Sequence, residues 1–211
     1  TKGAVLEASG HVSGFADPLS DGTRFNTMFR TSVGAGEEAQ TAYLRPETAQ
    51  GIFTNFKNIV DSFHPKLPFG IAQIGKAFRN EISPRDFLFR AREFEQLELE
   101  YFVKPDGWKE AFEMWRKTMH EWIARVGIDT QKVHELEVPE SERAHYSKRT
   151  IDFEFEFPFG RKELYGLAYR TDYDLKNHAA ASGVDLSYLD EETKEKIVPH
   201  VIEPSLGVGR T

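Results

Sequence analysis

Apolar residues recur along this chain in two rhythms. Between Asp106 and Gly127, the residues Trp108, Ala111, Phe112, Trp115, Met119, Trp122, Ile123 and Val126 return every three or four positions. That spacing lines one face of an α-helix, and the stripe reads as core packing. Asp106 suits the N-cap and Gly127 the C-terminal stop. A second helix is predicted from about Glu47 to Phe63, burying Ile52, Phe53, Phe56, Ile59, Val60 and Phe63. His64-Pro65 ends it, because the residue before a proline is pushed out of the helical region. A shorter helix fits Asp174 to Ala181, with Gly183 behind it.

The other rhythm is alternation. Ile71 to Arg79 and Gln96 to Val103 read as strands joined by a loop near Ile82 to Phe89. In the second strand Leu97, Leu99, Tyr101 and Val103 share one face, while Gln96, Glu98 and Glu100 share the other. Ile151 to Phe157 alternates apolar and acidic residues throughout. Leu164 to Thr171 and Val198 to Ile202 are further strands, the latter ahead of Ser205 to Arg210, which could open a helix. Strands follow one another with only occasional helices and no βαβ rhythm. The fold class is therefore α+β, a mainly antiparallel sheet flanked by helices.

Composition narrows the picture. The chain has 211 residues, 39% of them hydrophobic, with 17 Phe, 7 Tyr and 3 Trp, so it can fill a sizeable core and is not a disordered chain. No apolar run reaches the ~18 residues of a membrane span. Neither a starting Met nor a signal peptide's apolar stretch is seen at Thr1-Lys2-Gly3. Cysteine is absent, which excludes disulfides and thiolate metal sites, and the seven histidines form no HxxxH or HExxH pair. A cytoplasmic setting fits. The net charge of −7 argues against nucleic-acid binding by general backbone neutralisation, so any nucleic-acid contact must be local or supplied elsewhere. Positive charge does gather once, at Arg79, Arg85, Arg90 and Arg92.

Pairing the two strands around that cluster brings Arg79 and the Arg90–Phe94 segment to the same end of a hairpin. Arg92, Phe94, Gln96 and Glu98 then project from one face: guanidinium, aromatic ring and carboxylate in a row. Guanidinium forks bind phosphate oxygens, a ring stacks on a base, and a carboxylate takes an ammonium.

These residues carry a resemblance. Phe78-Arg79-Asn80-Glu81, a loop, then Arg90, Phe94 and Glu98 at four-residue steps resemble motif 2 of the class II aminoacyl-tRNA synthetases. Glu203-Pro204-Ser205-Leu206-Gly207-Val208-Gly209-Arg210 resembles motif 3 in the glycine-specific form. Ser9 to Pro18 is similar to motif 1, and Leu44 to Gly51 to a glycyl-enzyme signature. The resemblance spans essentially all of residues 1–211. It departs from the family at Ser20-Asp-Gly-Thr-Arg24, where a long insertion is usual, and after Arg210, where an anticodon-binding domain usually follows. The resemblance therefore implies a catalytic core without those two parts.

It also implies a reaction and roles. Glycine and ATP give glycyl-adenylate and pyrophosphate, and in the complete enzyme the glycyl group passes to its tRNA. The substrate carboxylate is the nucleophile, so catalysis is positioning and charge stabilisation. Arg79 would hold the α-phosphate and the glycine carboxylate, and with Arg210 it forms the catalytic pair. Asn80 and Glu81 would help seat ATP, Glu81 near the adenine amino group. Arg90 would reach the terminal phosphates and Phe94 would stack on adenine, framed by Phe89, Ala91, Arg92 and Glu93. Arg210 would cover the other adenine face or the γ-phosphate, beside Gly207, Val208 and Gly209. Glu163 and Leu164 match an ATP-contacting pair, and Glu163 is the expected Mg²⁺ ligand.

Glycine offers no side chain to grip, so the resemblance implies a crowded acidic cage for its ammonium: Glu47, Glu98 and Glu203, with Ser205 beside them. Phe94, Glu95, Gln96 and Leu97 on one strand, and Pro204, Leu206 and Gly207 on another, complete the glycine-binding stretch. Arg170 could also face the pocket. The family is expected to form a homodimer through motif 1. A non-catalytic binding subunit that keeps the fold would be expected to lose the motif arginines, yet Arg79, Arg90 and Arg210 are all present.

Overall fold

The alternating stretches assemble into one six-stranded antiparallel sheet. The structure, a computed structural model, describes residues 1–19 and 21–211. Ser20, in the junction where a family insertion is expected, lies outside the described residues. The chain begins with two short helices, α1 (Gly3–Ala8) and α2 (His11–Gly14), and two small hairpins, β1 (Ala16–Pro18) with β2 (Arg24–Asn26) and β3 (Arg30–Val33) with β4 (Gln40–Tyr43). Helix α3 (Ala49–Phe63) leads to β5 (Phe69–Phe78) and β6 (Glu93–Val103). Helix α4 (Trp108–Arg125) is followed by β7 (Val133–Glu137), β8 (Arg149–Phe157), β9 (Gly160–Thr171) and α5 (Tyr173–Ser182). The small pair β10 (Tyr188–Leu189) and β11 (Lys196–Ile197) precedes β12 (His200–Gly207). The main sheet runs β5-β6-β12-β9-β8-β7, so the last strand is inserted at its centre.

The two faces of that sheet differ in kind. On one, Ile151 and Phe153 of β8, Leu167 and Tyr169 of β9, and Ile202 and Leu206 of β12 pack against Phe112, Met119 and Ile123 of α4. This is burial of the ordinary apolar sort, worth roughly 25 cal/mol per Å². On the other, Ile52, Phe53 and Phe56 of α3 and Leu175 of α5 cover only one end, over Phe102 and Val201. Beyond that cap the same face carries Gln96, Glu98, Glu100, Arg170 and Glu203, all buried although polar. The alternation that places Glu98 opposite Leu97 therefore sends the polar face inward.

Several sequence expectations change in detail. Pro105–Gly107 forms a 3₁₀ turn, so α4 starts after Gly107 and Asp106 makes no cap bond. Trp122 and Val126 are 40% and 37% exposed, outside the cluster that α4 forms with the sheet. Phe63, at the last turn of α3, is 74% exposed and lies outside the other cluster. Helix α3 starts at Ala49, two residues after Glu47, where a carboxylate from β6 receives its first N–H groups. Ser205 to Gly207 do not open a helix. They stay in β12, Ser205 and Leu206 laddered by both β6 and β9 and Gly207 by β6, and Val208–Arg210 forms a 3₁₀ turn. The Ser9–Pro18 stretch folds as α2 and β1 and turns Ser9 and His11 fully inward. Gly10, at φ +78°, makes that turn possible, and a side chain there would meet the Tyr173 hydroxyl and the His145 ring. Among the described residues no helix is long and apolar enough to cross a membrane.

Candidate active site

A cleft of about 300 Å³ opens on the polar face of the sheet, and its lining includes Arg79, Arg90 and Arg210 as well as Glu47, Glu98 and Glu203. The floor is set by register. Gln96 pairs with Gly207 in one row; Glu98, Ser205, Gly166 and Asp152 stand side by side in the next. One step deeper come Glu203, Ala168 and Thr150. Nothing lies within 4 Å of where a side chain on Gly166 would begin, so the floor is open there.

The guanidinium groups are held lightly. Arg79 continues the β5–β6 ladder, its N–H donating to Arg92 O at 3.0 Å. Its Nε donates to Pro46 O at 3.0 Å, and its guanidinium lies 5.2 Å from the Phe15 ring and 5.3 Å from the Phe94 ring. Arg90 donates from Nε to Glu81 Oε2 at 2.7 Å and approaches Asp17 at 3.4 Å. Arg210 donates to the carbonyls of Phe89 and Glu163, at 3.3 and 3.1 Å, and lies 4.4 Å over the Phe89 ring. Phe89 is backed in turn by Phe157 and Phe159.

The carboxylates, by contrast, are locked. Glu98 Oε2 accepts from Thr48 N, Thr48 Oγ1 and Ala49 N at 2.7, 2.5 and 2.7 Å, at the N-terminus of α3 where a helix favours negative charge. Its Oε1 accepts from Gln96 Nε2 at 2.6 Å and from Ser205 Oγ at 3.4 Å. Arg170, completely buried, donates to both oxygens of Asp174, at 2.8 and 2.9 Å, and to Glu203 Oε1 at 2.9 Å. Its Nη2 also lies 3.7 Å from Glu47 Oε1. The Tyr146 ring covers the guanidinium at 3.6 Å. Gln50 donates to Glu47 and Asp174, each at 3.0 Å, and its carbonyl oxygen lies 2.7 Å from His178 Nε2. His11 Nε2 stands 3.2 Å from Glu47 Oε2, close enough to pair but not aligned as a hydrogen bond.

Burial would raise Glu47, but the charges of His11 and Arg170 outweigh it and hold this carboxyl well below the usual range. Burial lifts Glu203 to about 8 in spite of Arg170, with Glu98 and Glu47 adding to the rise. Glu98 is raised by burial and by the Glu47 charge, although Thr48 donates to it. Asp152 is lifted to about 7 by burial and by the nearby acids Glu163 and Glu154.

Sequence-predicted residues fall into three groups. Arg79, Glu81, Phe89, Arg90, Ala91 and Phe94 line the cleft, as do Glu95, Gln96, Glu163, Leu164, Gly207, Gly209 and Arg210, together with the three cage acids and Ser205. Leu97 and Leu206 point to the opposite face and join the α4 core. Pro204 is buried in β12, and Val208, 38% exposed, lies outside the lining. Asn80, Arg92 and Glu93 also lie outside it: Asn80 N donates to Thr27 O, Arg92 Nε donates to Glu81 O, and Glu93 pairs with Lys76. Arg170 stands behind the wall as the hub of the acids. Tyr146, His11, Gln50, Asp152 and Asp174 escaped the sequence reading. Asp174, four residues after Arg170, and Gln50, three after Glu47, have local partners, whereas His11 meets Glu47 and Tyr146 meets Arg170 across long stretches of chain.

A family model of the tRNA synthetase class II core domain (G, H, P, S and T) matches residues 29–211. Curated relatives agree. The chain is 54% identical over 188 residues to a glycine–tRNA ligase of Ureaplasma urealyticum, covering 88% of this chain and 40% of the relative. It is 54% identical over 193 residues to that of Lachnospira eligens, covering 91% and 42%, and 50% identical over 210 residues to that of Macrococcus caseolyticus, covering 99% and 44%. The chain thus spans about two fifths of the length of these curated relatives. An antiparallel sheet bearing an arginine-lined cleft with an acidic floor, matched over residues 29–211 by one family model, belongs to the class II tRNA synthetase core family.

Proposed function

We propose that this chain is the activation core of a glycine–tRNA ligase, joining glycine to ATP as glycyl-adenylate with release of pyrophosphate. The observation that carries the reading is the acidic end of the cleft. Glu98 and Ser205 in one row of the sheet and Glu203 in the next line the cleft with Glu47 from the segment before α3, a space suited to an ammonium on a small molecule. Arg79 reaches the same cleft, positioned to hold a carboxylate against the α-phosphate.

In the reaction one glycine carboxylate oxygen forms a bond to the α-phosphorus, and the bond from that phosphorus to the bridging oxygen of pyrophosphate breaks. Arg79 stabilises the negative charge gathering on the phosphoryl oxygens. Arg90 and Arg210 turn to the terminal phosphates, and Phe94 offers its ring to adenine. Their present partners do not prevent this. The Arg90 side chain is 38% exposed, so it can exchange Glu81 for a triphosphate, which carries more negative charge. Glu163, half-exposed at the cleft beside Arg210, has the character of a Mg²⁺ ligand that works together with phosphates and water. Magnesium there would neutralise charge on the phosphates. Transfer to tRNA, a homodimer and a cytoplasmic setting belong to the same proposal for the complete protein.

Glycine-dependent exchange of pyrophosphate into ATP tests it. We expect exchange with glycine and little with alanine or serine, and a loss of at least about 100-fold in Arg79→Ala, the scale of removing one transition-state donor. ATP binding without exchange for any amino acid would overturn the reading in favour of a non-catalytic subunit.

A further inference from the structure

The least comfortable group in the molecule is not in the cleft. Glu100 stands two residues beyond Glu98 on the same face of β6, level with Glu203 in the β6–β12 register. It is 0% exposed, and among the described residues neither carboxyl oxygen has a hydrogen-bond partner. The charged groups around it are Glu203 on β12, Arg170 on β9, Asp174 on α5 and Glu98 on its own strand, while β5 offers only Ile71 opposite. The nearby cation, Arg170, directs its hydrogen bonds to Asp174 and Glu203 and none to Glu100. Glu98 takes the donors of α3 and Gln96.

A bare carboxylate in such a place would be buried without a hydrogen bond, next to three other acids, with the shared charge of Arg170 as its offset. Keeping a proton at neutral pH is the smaller cost. Burial, with Glu203 adding to it, raises this carboxyl well above its ordinary range, in the same direction as the geometry. If Glu100 ionised, it would compete for Arg170, the group that holds Glu203 at the wall of the cleft.

We propose that Glu100 is a positioning residue of the amino-acid site that works as a neutral carboxylic acid. By keeping its proton it leaves Arg170 to Asp174, Glu203 and Glu47, and its bulk keeps Glu203 in the wall. Its link to glycine rests on the function proposed above; its protonation does not.

The two parts separate experimentally in the full protein. Infrared spectra at pH 7.5 should contain a protonated-carboxyl band that Glu100→Gln removes; no such difference would overturn the proton assignment. In glycine-dependent exchange, Glu100→Gln should stay within about threefold of the parent in KM and kcat. Glu100→Ala, which leaves a gap behind Glu203, should raise KM for glycine at least tenfold, with kcat and KM for ATP within threefold. If Glu100→Ala does not fold, Glu100→Val, with a smaller gap, takes its place with the same direction of effect. A Gln variant as impaired as the Ala variant would mean that the site uses the charge, and an unchanged glycine KM in the truncated variants would mean that Glu100 positions nothing. Absence of exchange in every variant, with the infrared difference intact, would sink the proposed function and leave the proton assignment standing.

Discussion

The two faces of the central sheet are buried by opposite means. Against α4, Phe112, Met119 and Ile123 meet Ile151, Phe153 and Leu167, an apolar layer in which each contact is small and replaceable. Against α3 and α5, one guanidinium gathers Asp174, Glu203 and Glu47, while Glu98 gathers the N-terminus of α3. Apolar burial degrades gradually. A buried ionic layer holds only while it is complete, because every missing partner leaves a charge that water cannot reach. The molecule has placed its chemistry on the face with less tolerance.

The harshest break of that comparison is Arg170→Met. It strands three carboxyls and should cost about 3–5 kcal/mol in urea unfolding. A loss no larger than that of a surface substitution would show the ionic layer to be dispensable. Next comes Glu98→Ala, which leaves Thr48 N, Ala49 N and Gln96 Nε2 without their acceptor. Stability should fall by about 1–3 kcal/mol, and glycine-dependent exchange should disappear while ATP binding persists. The two readouts are needed together, since Glu98 both caps α3 and faces the cleft.

A gentler probe is pH. Glu203 carries a folded-state value of about 8 against an ordinary 4.5, so between these values the folded chain holds more protons than the unfolded one. Stability from this group is therefore full below about pH 4.5, declines as pH rises through that window, and levels off above 8. An ammonium ligand needs the carboxylate, so glycine affinity should move the other way and improve toward pH 8. Parallel unfolding and binding titrations of the parent and Glu203→Gln check both signs; a Gln variant that keeps the stability slope would remove Glu203 as its source. The smallest effect belongs to the apolar face. Ile123→Val should cost about 0.5–1.5 kcal/mol and leave KM for glycine and ATP unchanged.

Much of this was legible beforehand. Alternation at Gln96–Val103 and Ile151–Phe157 predicted strands, and the helical stripes predicted α3 and α4. The motif stretches brought Arg79, Arg90, Glu98, Glu203 and Arg210 forward as site residues, and all five line one cleft. What stayed hidden has a common cause. Periodicity gives the direction of a face and not what covers it, so Phe63 and Trp122 were assigned to the core although both remain exposed. Gln50 and Asp174 lie 124 positions apart, and Tyr146 reaches Arg170 from a separate loop, so no local pattern announces either contact.

By itself the chain determined which residues alternate, where helices can run and which side chains bring charge, since these follow from local sterics and spacing. Only the tertiary structure decided that the acidic face of β6 turns inward, that Arg170 is a buried hub of acids, and that Glu100 has no hydrogen-bond partner among the described residues. Those outcomes depend on which distant strands become neighbours, and burial, which sets the cost of every charge, exists only once they have.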